Sequence, residues 1–287
     1  MLAVVRDLFR YDKRFVFGFC VLGGLLFLSL LSAFCPYDLS IWNLVPRDQP
    51  PTAAHLLGTN SQGQDVFWYA AAATRNSIFI GIVAALLSRL IAIFVALIAG
   101  YLGGRADRWI MSVNDSFVVL PLLPVLVLVT AVLHGRINLF GLGIVLAIFG
   151  WAWDARLLRS QILSLREREF TKTAILSGMG PLRIVLGEHL RFVIPLIMAT
   201  AINNIIFVVS TEIVLAVFGL SSLETPTLGT MIYWAVNYQA ILLNIWWWIL
   251  TPVIICILLI LSLYMLSVSI SDFLDPRTRL LIIKARS

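Results

Sequence analysis

The chain has 287 residues, 60% of them hydrophobic and only 13% charged, and a mean hydropathy of +0.96. Soluble domains carry roughly 25% charged residues, so a water-soluble globule is excluded. The formal charge of +6 is distributed over loops between apolar runs, which is what membrane insertion produces, and no compact basic domain exists to bind nucleic acid.

In chain order, the basic segment holding Arg6, Arg10, Lys13 and Arg14 precedes an apolar run, Phe15–Phe34. That run is longer than a secretory signal core, and bulky Phe34 does not suit a cleavage site, so it reads as a retained first span. Further spans are expected at Ser77–Tyr101, Trp109–Leu133, Leu139–Ala155, Phe192–Phe218 and Ile245–Ile270, each near the roughly 20 apolar residues a bilayer requires. Pro121, Pro124 and Pro252 are expected to kink the spans that hold them. With six spans, the Lys- and Arg-rich segments all fall on one side: the N-terminal segment (1–14), the turn Gly103–Arg108, the long loop 156–191 and the tail (272–287). Both termini are then cytoplasmic. The opposite side carries Cys35–Asn76, the turn around His134–Asn138, and Gly219–Asn244. Tyr233, Trp234, Tyr238 and Trp246–Trp248 read as an interfacial aromatic belt. Cys20, Cys35 and Cys256 are odd in number and imply neither a disulfide framework nor a metal site.

The loop 156–191 carries Arg156, Arg159, Arg166, Arg168, Lys172, Arg183 and Arg191. Ile162–Ser177 is helix-permissive, with Leu163, Phe170 and Ala174 on one face. Gly178 suits a left-handed stop and Pro181 the first turn of a second helix. That helix has a stripe of Leu182, Val185, Leu186, His189 and Val193. The first helix fits either a groove on a soluble partner or the headgroup layer, and composition leaves both open.

Arg89 and Glu212 fall well inside spans, where a charge costs about 2.5–3.5 kcal/mol on insertion scales and faces a bundle interior or a wet cavity. They are read as facing each other or a pathway, or as a pair that only fixes packing, with snorkelling of Arg89 as a further alternative. Asp115, Asp154 and Arg156 are read as capping or pairing locally. The sequence holds no G-x-x-x-x-G-K-[ST], H-E-x-x-H or C-x-x-C motif, so uphill transport by this chain requires energy supplied by another protein.

Several separated motifs carry a resemblance. Arg166-Glu167-Arg168-Glu169-Phe170, with Ala174, Gly178, Arg183 and Pro195, resembles the cytoplasmic signature of binding-protein-dependent ABC importer permeases, most closely the C-type subunits of the dipeptide, oligopeptide and nickel family. His55-Leu56-Leu57-Gly58-Thr59-Asn60 with Gly63 and Asp65 is similar to that family's entry to the second span. Gly100-Tyr101 with Gly103-Gly104, Asp115 with Pro121, Pro226 with Gly229, and Asp272 with Asp275-Pro276 follow in the family's order. Lys172-Thr173-Ala174 stands where the family usually has Glu-Ala-Ala, and Asn60 and Gln64 where it often has Asp and Arg.

The resemblance implies an all-α, six-span type I ABC importer membrane domain over 15–271 and a non-catalytic permease. It implies ATPase coupling through Phe170, Lys172, Thr173, Ala174, Gly178 and Arg183. Pro226, Gly229 and Tyr233 become candidates for a receptor-facing loop, with Arg89, Asp115 and Glu212 as pathway or buried-charge candidates. Expected partners are a homologous second permease, two cytoplasmic ATPases, an extracytoplasmic solute-binding protein and membrane lipid. ATP and Mg would sit on the ATPases, with no cofactor or metal on this chain, in a bacterial or archaeal cytoplasmic membrane. Peptides are the first expectation for cargo, with oligosaccharides or nickel chelates as alternatives. An ion-coupled secondary transporter is the competing class, although no internal repeat is visible.

Overall fold

The computed structural model describes residues 8–9, 12–133, 138–180 and 183–274. The described residues are helical and hold no strand beyond one isolated bridge, Thr59 to Asp65. Arg6, Arg10, Arg136, Pro181, Leu182, Asp275-Pro276 and the basic tail lie outside them.

Among the described residues ten α-helices are delimited in order. They are α1 (Lys13–Leu31), α2 (Val66–Leu102), α3 (Gly104–Val119), α4 (Leu122–Val132), α5 (Leu139–Gly150), α6 (Ala152–Arg166), α7 (Glu169–Leu176), α8 (Leu190–Val217), α9 (Leu228–Asn237) and α10 (Trp246–Leu274). A π-helical segment, Ile184–His189, leads into α8. Among the described residues four helices are long and apolar enough to cross a membrane, and two bent pairs raise the number to six if each counts as one span.

The kink expected in the third span at Pro121 is present, and a second bend, not expected from any proline, breaks the fourth span at Trp151. α3 and α4 meet at 83°, α5 and α6 at 46°. At the first break Leu120 leaves the helix at φ −57, ψ 132, the extended geometry that a following proline favours. Pro124 sits in the first turns of α4, and α10 continues as one helix through Pro252.

α2 is the central post and begins eleven residues before the expected span. Asp65 caps it, accepting from the Phe67 and Trp68 amides at 2.9 and 3.3 Å, while His55 Nδ1 lies 2.7 Å from the other carboxylate oxygen. Its buried face is small: Ala70–Ala73, Ala84, Ala85, Ala92, Ala96 and Ala99 are all within 5% exposure. In lipid, burial of apolar area does not draw helices together, and small residues that let backbones approach closely do. α5, α6 and α8 therefore close around α2, with Ile205 and Val209 over Gly81 and Ile162 against Gly100.

The aromatic belt is largely internal. Trp248 is fully buried, Trp247 donates to the Thr59 carbonyl at 3.1 Å, and Trp234 donates to that of Leu223 at 3.3 Å. Trp246 stays exposed. Trp247 and Trp234 hold the adjoining loops down through these bonds, whereas the buried Trp248 Nε1 has no partner among the described residues and contributes by packing.

Candidate functional site: the elbow and the buried charges

The elbow begins where α6 ends. Arg166 donates to the Tyr101 carbonyl at 3.2 Å, and Arg159 is paired with Asp107 through Nε at 2.6 Å, so α6 is clamped to the α2–α3 corner. The expected single helix Ile162–Ser177 is two: the chain breaks at Glu167–Arg168 and α7 starts at Glu169. Thr171 Oγ1 donates back to Leu165 O at 2.8 Å, and side-chain bonding to the backbone of this kind competes with helix continuation.

α7 ends at Gly178, which sits at φ +74. The Gly178 amide donates to Ile175 O and that of Met179 to Ala174 O, both at 3.0 Å. Those two bonds make a Schellman motif, so the glycine stop read from the sequence has its expected left-handed geometry.

The direction in which α7 faces differs from the sequence reading. Phe170 stacks on Phe192 at 5.0 Å and meets the edge of His189. Ala174 and Thr171 are buried, and Thr171 Oγ1 lies 3.0 Å from His189 Nε2. The apolar face thus packs on the chain's own root of α8. Lys172, Thr173, Gly178 and Arg183 are exposed, with Ile175 at 52% and Leu176 at 88%. Two exposed apolar residues beside a cation form the outward surface. Periodicity did not single them out, although an Ile-Leu pair just before a glycine stop was the available signal.

His189 is fully buried at this hinge, and its Nδ1 has no partner. Burial pushes its pKa down from 6.5, and the Glu188 carboxylate opposes that only in part. On the π-helical segment, Ile184 and Val185 are buried while Leu186 is exposed, so the predicted stripe rotates by about one residue. A π-turn carries more residues per turn than the α period assumes.

The charged groups within the spans do not face each other. Arg89 Nη2 is 3.1 Å from Asp154 Oδ2, although the approach is poorly aligned and the buried Arg89 nitrogens have no hydrogen-bond partner. Glu212, fully buried, accepts from Thr227 Oγ1 at 2.6 Å. Asp115 is exposed and paired with Arg156. Of the alternatives, a direct Arg89–Glu212 contact is excluded, and the two groups lie in separate polar clusters.

Thr227 caps α9, which docks on α8 and α2. Leu228 N donates to Ser77 Oγ at 3.0 Å, and Asn76 Nδ2 to Pro226 O at 2.7 Å. Gly229 is buried so closely that an added Cβ would lie 2.5 Å from Ala216 Cβ. Of the three candidates for a receptor-facing loop, Gly229 has no free surface in this chain, whereas Pro226 and Tyr233 are half-buried. In the preceding outer loop Asn60 Nδ2 donates to Gln64 Oε1 at 3.1 Å. The two departures from the resembled signature touch, so a neutral amide pair occupies a place where an acid and a base are frequent. Among the described residues no group of three or more His, Cys, Asp or Glu could hold a metal.

The family described as "Binding-protein-dependent transport system inner membrane component" matches residues 92–280. The chain is 32% identical over 259 residues to the oligopeptide transport system permease protein OppC of Mycobacterium tuberculosis (strain ATCC 25618 / H37Rv), covering 89% of this chain and 88% of that protein. It is 29% identical to the dipeptide transport system permease protein DppC of Bacillus subtilis (strain 168), over 97% and 87% of the two chains. It is 31% identical to the nickel transport system permease protein NikC of Escherichia coli (strain K12), over 84% and 86%. With the elbow, the small-residue central helix and the bent helix pairs in place, the chain belongs to the binding-protein-dependent transport system inner-membrane components, a family of ABC importer permeases.

Proposed function

We propose that this chain is one of two homologous permease subunits in a receptor-dependent, ATP-driven importer of di- or oligopeptides, with both termini in the cytoplasm of a bacterial or archaeal cell. Two ATPase subunits carry ATP and Mg, and this subunit performs no catalysis. Peptide cargo is supported by the relatives named for oligopeptide and dipeptide transport, and nickel chelate is the second reading, from the nickel relative. The aromatic rings near α9 and α10 are mostly engaged in internal packing, so they lend no support to the oligosaccharide alternative.

The observation that carries the mechanism is the mounting of α7. Its inner face is fixed to α8 through Phe170, Thr171 and His189, and its outer face offers Lys172, Ile175 and Leu176. A helix held this way moves with α8, so displacement of the outer face by a closing ATPase pair transmits to a membrane helix, biasing a two-state element. An extracytoplasmic receptor delivers cargo near Pro226 and Tyr233.

The test is co-purification. Ile175→Glu with Leu176→Glu should strip the ATPase subunits from the detergent-solubilised assembly while the chain still inserts. Full retention of ATPase with normal ATP-driven uptake would remove α7 as the contact.

A further inference from the structure

The two broken helices converge on one space. A cavity of about 320 Å³ is lined by residues flanking both breaks, Leu120 and Leu122 at the first and Gly150 and Ala152 at the second. Non-helical backbone at membrane depth is tolerated where it lines such a cavity, and a cavity of roughly 300–1,000 Å³ is the size that takes a small ligand.

Its polar wall is rich in acceptors. Asn204 is 7% exposed, and its Nδ2 donates to Ser88 Oγ and Asp154 Oδ2, both at 3.0 Å. Those contacts fix the amide, because the flipped orientation would set Oδ1 against a carboxylate. Asn204 Oδ1 is left buried with no donor. The Asp154 carboxylate, 16% exposed, lies in the same wall, with Arg89 approaching it at 3.1 Å from outside the lining. Phe117, Phe149 and Phe207 supply the apolar part. A buried acceptor without a donor is costly unless an occupant supplies one, and phenyl faces attract cations.

We propose that this cavity takes the protonated amino end of the cargo, with Asp154 and Asn204 Oδ1 as acceptors and the phenyl rings seating the adjoining side chain. The proposal rests on the importer reading and narrows it to cargo with a free ammonium group, against an anionic metal chelate.

The complete assembly, with receptor and ATPases, is reconstituted in liposomes and supplied with trialanine or N-acetyltrialanine at receptor-saturating concentration. Asn204→Ala should lower trialanine uptake about tenfold, the effect of losing one hydrogen bond to a charged group, with N-acetyltrialanine uptake and ATP hydrolysis retained. A second arm leaves Asn204 intact. With Cys20, Cys35 and Cys256 replaced by serine, Thr200→Cys should react about tenfold faster with a cationic than with an anionic methanethiosulfonate, by the field of the nearby carboxylate, and trialanine should slow it. Equal loss for both peptides, no loss, or equal reagent rates overturns the proposal. No ATP-driven uptake of trialanine by the unsubstituted assembly overturns the peptide-cargo reading itself.

Discussion

Replacing Gly229 by alanine tests how α9 is held over the buried carboxyl group. The new methyl would stand 2.5 Å from Ala216 Cβ and 2.9 Å from Ile213 Cα, about 1 Å inside the roughly 3.5 Å at which carbon atoms rest. Backing α9 away by that amount stretches the bond from Thr227 to Glu212 from 2.6 Å to about 3.5 Å, beyond hydrogen-bonding range. Overpacking costs about 1–3 kcal/mol and the lost bond about 1–2 kcal/mol. Because one displacement produces both, the two do not simply add, and α9 docking weakens by about 3 kcal/mol. A change of that size raises the transiently open population about a hundredfold. The assay is thiol labelling at Ala235→Cys, a fully buried α9 position, in a chain whose three native cysteines are replaced. Labelling should accelerate by about two orders of magnitude with Gly229→Ala. Adding Ala216→Gly, which removes the nearest carbon but leaves Ile213 Cα at 2.9 Å, should restore part of the protection. Unchanged labelling, or no rescue by Ala216→Gly, would refute the close-approach argument.

At Gly178 an added Cβ meets nothing within 4 Å, so the cost of substitution lies in the backbone at φ +74. Gly178→Val should weaken coupling of ATP hydrolysis to uptake more than Gly178→Asn, with insertion intact for both, since asparagine tolerates the left-handed region; coupled uptake rates settle it. His189 sets a pH dependence. Its folded pKa lies below 6.5, so the opened loop binds a proton that the packed loop refuses. Stability is then full above the unfolded value, falls as pH drops through it, and levels once the folded pKa is passed. Protease sensitivity of the elbow should rise between about pH 7.5 and 5.5, and His189→Gln should flatten that rise. In the outer loop, Asn60→Asp and Gln64→Arg should each destabilise the purified protein, while the double variant recovers about 1–3 kcal/mol of coupling by forming an ion pair; additive losses in thermal unfolding would contradict the contact.

Local residue pattern is enough to place the apolar runs, the basic elbow that interrupts them, and the helix stop at Gly178. Each follows from interactions within a few residues, namely the length of chain a bilayer needs and the φ a glycine tolerates. Inside the spans local pattern loses its grip. Lipid is as apolar as leucine, so hydrophobicity no longer separates an inner face from an outer one, and small size does. The buried alanines of α2 carry that signal. Tertiary structure alone decided that Arg89 meets Asp154 rather than Glu212, that Glu212 anchors α9, and that Phe170 turns inward and leaves Leu176 outward. Those pairings join residues on different helices or across a sharp turn. The reach of a side chain and the packing of the α2 post choose among partners that no local periodicity distinguishes.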